Sequence, residues 1–157
     1  MRGKKASARE IEPDAKFKSK LVTKFINIVM QDGKKSVAEK IMYEAMDLLE
    51  KGAKKKKALE ALEEAIDNVK PKVEVRSRRV GGANYQVPVP VNERRQQSLA
   101  IRWIVEAARG NRGSSTFSNQ LGQVLLQSFK KEGAAFKKKE DTHKMAEANR
   151  AFARFAW

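Results

Sequence analysis

Hydrophobic positions recur at helical spacing through most of the chain and switch to strict alternation once, between Val73 and Val91. The spacing predicts a first helix over 17–31, with Leu21, Phe25, Ile28 and Val29 on one stripe and Val22, Ile26 and Met30 widening it. Lys20, Lys24, Asn27 and Gln31 form its polar side, and Asp32-Gly33 ends it with a left-handed glycine. A second helix is predicted over 36–51, carrying Val37, Ile41, Ala45 and Leu48, with Met42 and Leu49 beside them. A third, over 58–69, sets Leu59, Leu62, Ile66 and Val69 against Glu60, Glu63, Glu64 and Asp67. Asn92 is the natural N-cap of a fourth helix reaching residue 108. Its apolar arc is Ala100, Ile101, Trp103, Ile104, Val105 and Ala107. A fifth runs to residue 131 behind the cap candidates Ser114 and Ser115, with Phe117, Leu121, Val124, Leu125 and Phe129 as core and Gly133 as its stop. KKKED at 137–141 opens a sixth, carrying Met145, Ala148 and Phe152.

The alternating run reads as a β-hairpin. Gly81-Gly82 supplies the positive φ a reversal needs. A two-residue loop would set Val87 and Val89 across from Arg76 and Glu74. A three-residue loop, 81–83, sets Val75 across from Val89, Val73 across from Val91 and Arg79 across from Tyr85. The longer loop is expected, because it gathers the apolar residues on one face. Pro88 and Pro90 cannot donate ladder hydrogen bonds and suit a bare two-stranded arm. The fold class is therefore mainly α: a single domain of about six helices, with a two-stranded arm protruding between the third and fourth. The expected organisation is a flexible basic arm over 1–16, a helical domain over 17–150 with the hairpin at 73–91, and a tail over 151–157.

Charge sharpens this picture. The 157 residues carry a net charge of +15. Residues 21–70 are nearly balanced, with 10 positive and 9 negative side chains, while residues 71–112 carry 9 and 3. Eight of the twelve arginines lie in that second stretch: Arg76, Arg78, Arg79, Arg94, Arg95, Arg102, Arg109 and Arg112. Arginine offers a flat five-donor fork that fits phosphate and stacks on bases, where lysine offers a solvated point charge. Arg95, Arg102 and Arg109 follow at heptad intervals opposite the apolar arc, and Glu106 is the acid nearest that seam. A balanced helical block among basic regions is the footprint of a polyanion partner.

Catalytic and metal chemistry find no support. There is no cysteine, and His143 is the single histidine, expected at the surface. Glu63 and Glu64 are adjacent, so on a helix they point about 100° apart and form no acid/base couple. GKKS at 33–36 resembles the end of a phosphate-binding loop, but Ile28 occupies the place of the required first glycine. Lys34 and Lys35 remain candidate phosphate contacts. No catalytic residue, metal ligand or cofactor is assigned. No apolar run approaches the length that spans a bilayer, so no membrane is implied and the cytoplasm is the default. A free monomer is expected, since no helix keeps a spare apolar face. Basic and aromatic residues alternate in the tail, where Phe152, Phe155 and Trp157 suit either base stacking or docking on the core.

The segment 21–45, with GKKSVAEKIMYEA, resembles the signature segment of the ribosomal protein S7 family of the small subunit. RSRRVGGANYQVPVPVNERRQQSLAIRWIVEAAR at 76–109 resembles it more specifically, and KKKEDTHKMAEANRAFARFAW fits the same family. The resemblance implies six helices with a protruding hairpin. It implies a primary binder of the 3′ major domain of 16S rRNA that starts assembly of the subunit head. It further implies a place at the exit site, with the hairpin near tRNA and mRNA, and contact with the neighbouring protein S-eleven. Carried over by position, Arg76, Arg78, Arg79, Gly81, Gly82, Asn84, Tyr85 and Gln86 and the helix arginines Arg94, Arg95, Arg102, Arg109 and Arg112 match the RNA-facing region. Arg2, Lys4, Lys5 and Arg9 correspond only in character. The competing readings are an architectural DNA-binding protein with a minor-groove β-arm and an adapter for acidic protein partners.

Overall fold

The computed structural model describes residues 3, 10–53, 56–110, 113 and 115–156. Six α-helices are found among them: α1 (Lys20–Val29), α2 (Lys35–Ala53), α3 (Ala58–Val69), α4 (Glu93–Gly110), α5 (Phe117–Phe129) and α6 (Gly133–Ala148). Strands β1 (Val73–Val80) and β2 (Ala83–Pro90) stand between α3 and α4, and a 3-10 segment, Arg150–Phe155, follows α6. The mainly α fold class with its hairpin is borne out, but the sixth helix ends at Ala148, so Phe152, expected on it, lies in the 3-10 segment.

Helix α5 runs through the middle and packs against α2, α3, α4 and α6. Its central position follows from its small residues. Gly122 faces Leu48 and the Ala45 carbonyl so closely that a Cβ would lie 2.9 Å from Leu48 Cβ. Only glycine admits that approach. Leu121, Val124 and Leu125 fill the space to either side and are fully or nearly fully buried. At the end of α5, Asn68 of α3 donates its Nδ2 to the carbonyls of Ser128 and Phe129, at 3.2 and 3.0 Å. Orphan C-terminal carbonyls are thereby satisfied from a neighbouring helix.

Several expectations need correction. On α1 the buried stripe is Val22, Phe25, Ile26 and Val29, with Leu21 and Ile28 half-buried. On α2 it is Ala38, Met42, Ala45, Met46 and Leu49, and Val37 is 53% exposed. Neighbours choose the centre of each wide arc: on α2, Gly122 of α5 comes down on Leu48 and the Ala45 carbonyl, while Val37 is left beside the groove that Arg109 and Phe117 line. Helix α5 is capped by Thr116, whose Oγ1 accepts from the Asn119 amide at 3.4 Å, not by Ser115; Ser114 lies outside the described residues. Gly133 opens α6 instead of only stopping α5, so α6 starts four residues before KKKED. Met145 is 54% exposed, and α6 buries Ala135 and Ala146 instead.

Within the predicted N-terminal arm, Glu12 meets α1 through its carbonyl and Thr23, and Asp14 and Lys16 meet α2 through Tyr43 and Asp47. Asp14 accepts from the amides of Lys16 and Phe17 and, at 2.7 Å, from the Tyr43 hydroxyl. That hydrogen bond, with burial and the Asp14 charge, pushes the Tyr43 hydroxyl up to about 12.

Candidate nucleic-acid interface

The hairpin closes with a two-residue loop, so the three-residue register is overturned. Glu74 pairs with Val89, Arg76 with Val87, Arg78 with Tyr85 and Val80 with Ala83. Gly81 and Gly82 both have positive φ, 56° and 89°. Two successive left-handed residues make the type I′ turn, whose twist matches that of antiparallel strands. Turn chemistry outweighs the gathering of valines.

This register decides what the two faces carry. One face bears Glu74, Arg76, Arg78, Tyr85, Val87 and Val89 and turns toward α6 and the 3-10 segment. Val87 is fully buried there. The Tyr85 ring meets those of Phe152 and Phe155, each at 5.2 Å between centroids. Arg78 Nη1 donates to the Phe155 carbonyl. Of the two roles open to the tail aromatics, Phe152 and Phe155 take docking, and they dock on the arm; Trp157 lies outside the described residues. The other face alternates outward and exposes Ser77, Arg79, Asn84 and Gln86. No acidic residue stands between Glu74 and Glu93, so this exposed flank has no internal counter-charge.

The base of the arm is fixed from α6. His143 Nε2 accepts the Lys72 backbone amide at 3.0 Å, and Lys139 Nζ donates to the Asn68 carbonyl at 2.7 Å. His143 is thus half-buried and structural, correcting its expected place at the surface. Burial, then the charges of Lys139 and Lys72, hold its imidazole below the usual histidine range. Burial is likewise the first cause that lowers Lys139, ahead of Lys131 and Lys72.

The arm and α4 meet at Glu74, which is 8% exposed. Asn92 caps α4, its Oδ1 accepting from the Arg95 amide at 3.0 Å. Arg95, thus placed in the first turn, sets its Nε 2.9 and 2.7 Å from Glu74 Oε1 and Oε2. Arg76, two residues along β1, sets its Nε and Nη2 on Oε1 at 2.5 Å. Burial acts to raise the Glu74 carboxyl, but hydrogen bonds from Arg95 and Arg76 outweigh it and hold it below the ordinary carboxylate range. Glu74, not Glu106, is the acid that meets the arginine seam; Glu106 pairs with Lys138 at 2.6 Å. Sequence reading missed it, although its i, i+2 spacing from Arg76 places both on one strand face.

The remaining candidates spread over one helix and one loop. Arg94 and Arg102 are exposed on α4, and Arg102 Nη2 donates to Ser98 Oγ at 3.0 Å. Arg109 Nη2 reaches the Val29 carbonyl at 3.3 Å, across an open groove of about 420 Å³ that Lys34, Val37 and Phe117 also line. Lys34 and Lys35 are exposed, and Lys35 lies 3.8 Å from Glu39. Arg2, Lys4, Lys5, Arg9 and Arg112 lie outside the described residues. No cluster of metal-binding side chains and no helix long and apolar enough to cross a membrane occurs among the described residues.

The family model for ribosomal protein S7p/S5e matches residues 1–150. The chain belongs to the ribosomal protein S7 family. It is 59% identical over 157 residues to small ribosomal subunit protein uS7 of a Nitratiruptor species, covering all of both chains. It is 57% identical, again over the full length of both, to the uS7 protein of Thermosipho africanus. The uS7 protein of Ruegeria pomeroyi is 55% identical over 97% of this chain and 96% of its own. As an S7-family member the chain is a structural constituent of the ribosome and not an enzyme.

Proposed function

We propose that the chain assembles into the cytoplasmic small ribosomal subunit as a primary binder of 16S rRNA, starting the 3′ major domain that forms the head. In the same reading the hairpin lies at the exit site and contacts tRNA and mRNA, and the body neighbours protein S-eleven. One observation carries the reading most: the arm has a built side and an open side. Its built side is locked to the tail through Tyr85 and Arg78 and to α4 through Glu74, and its base is held to α6 by His143. Its open side presents Arg79, Asn84 and Gln86 with no acid beside them. A rigid ribbon of this kind suits shape recognition of folded RNA, whose deep major groove side chains cannot read. Lys34, Lys35 and the arginines of α4 add phosphate attraction that salt weakens.

Chemical footprinting of the 3′ major domain with this chain alone tests the reading. Protection without any other protein is the expected result. Protection that appears only after other head proteins are added contradicts a primary role. Photo-crosslinkers at positions 79 and 84 in assembled ribosomes are expected to reach exit-site tRNA or mRNA.

A further inference from the structure

We propose that Glu74 is a positioning residue that builds a phosphate-binding fork from Arg76 and Arg95. The inference rests on the rRNA-binding reading above and names the device that makes one part of that surface. An acid inside a basic nucleic-acid surface opposes binding by simple charge count. Here it is nearly buried, and its carboxylate receives guanidiniums from two elements, β1 and α4.

The geometry gives it a purpose. Both arginine side chains stay close to half exposed, at 44% and 46%. Glu74 engages Nε of Arg95, and Nε and Nη2 of Arg76. Among the described residues, the Nη groups of Arg95 and Nη1 of Arg76 keep no protein partner, so donors from both forks remain for a ligand. One carboxylate restrains two long side chains that would otherwise repel and sample many rotamers. Ordering them before RNA arrives removes that cost from binding. The triad keeps a net charge of +1 and suits a single phosphodiester at the junction of arm and helix. Charge-assisted bonds from arginine to phosphate are the strong, geometrically exacting kind.

The test is a binding titration of the full chain on 16S 3′-domain RNA, with duplex DNA as competitor. Four proteins are compared: wild type, Glu74→Gln, Arg76→Gln/Arg95→Gln, and the triple change. Glu74→Gln is expected to weaken binding about tenfold, equivalent to ~1.4 kcal/mol, although it makes the chain more positive. In the Arg76→Gln/Arg95→Gln background the same change is expected to have no further effect. Glu74→Asp, one methylene short of spanning both guanidiniums, is expected to weaken binding in the same direction with charge unchanged. It also serves if Glu74→Gln fails to fold. Binding by Glu74→Gln as tight as or tighter than wild type overturns the proposal. So does an equal loss in both backgrounds, which marks general destabilisation. If the arginine pair matters and Glu74 does not, this inference fails and the rRNA reading stands. If duplex DNA competes as well as the RNA for wild type, the rRNA reading itself fails.

Discussion

At the scale of single residues, the arm is tied down by groups whose protonation matters. Glu74 titrates below its ordinary range in the fold. Its contribution is therefore present above the ordinary carboxylate pKa and lost as pH falls toward the folded value. His143 is also depressed, by burial first and then by the charges of Lys139 and Lys72, and its unprotonated Nε2 is the atom that accepts the Lys72 amide. Its contribution is complete above the usual histidine range and declines as pH falls through and below about 6.5. Both act in one direction, so acid loosens the arm while the helical core, held by apolar contacts, persists. Amide exchange of β1 and β2 measured from pH 7.5 down to 3.5 is expected to lose protection earlier than α5, and His143→Gln is expected to remove the part of that loss that falls above the carboxylate range. Uniform loss across arm and core contradicts this. The Tyr43 hydroxyl gives the opposite sign. Raised to about 12, it stabilises the fold below pH 10 and ceases to do so as pH climbs through 10 to 12.

At the scale of elements, local rules read most of the fold. Both ends of α3 and the Asn92 cap of α4 follow directly from periodicity and capping chemistry. The rotations of α1 and α2 were not legible, because an apolar arc wider than one face leaves the buried centre to be chosen by neighbours. Val37 is left exposed, while Leu48 and the Ala45 carbonyl take the close approach of α5 that Gly122 permits. The arm's register is legible in Gly81-Gly82, whereas valine pairing points to a different one in which the Glu74 face is hidden. The docking of Phe152 and Phe155 on Tyr85 joins residues some seventy positions apart, which periodicity cannot see.

Two element-scale predictions follow from these contacts. Gly122→Ala places a Cβ 2.9 Å from Leu48 Cβ, an atom too near its backbone to yield. It is expected to destabilise the chain by ~1–3 kcal/mol, despite the ~1 kcal/mol gain in helix propensity; a raised Tm contradicts the packing account. Phe155→Ala removes one of the two rings beneath Tyr85. It is expected to lower arm protection in hydrogen exchange by roughly tenfold, for ~1–2 kcal/mol of lost ring packing, and to leave α2 and α5 unchanged. Equal loss in arm and core contradicts the tail's role as a buttress.

At the scale of the whole molecule, the charge has a division of labour. A balanced, apolar-cored helical body carries an arm and a helix seam that hold most of the arginine, and the net charge of +15 makes attraction to any polyanion steep in salt. Specificity has to come from the fixed placement of a few forks. The most direct test is competition on labelled 16S 3′-domain RNA by unrelated RNA and duplex DNA across a salt series, with wild type and Arg76→Ala/Arg79→Ala/Arg95→Ala. The account predicts tight one-to-one binding that survives excess competitor, and a loss on substitution larger for this RNA than for either competitor. Equal affinity for duplex DNA, with the same salt slope for every nucleic acid and the same loss for each, would contradict it.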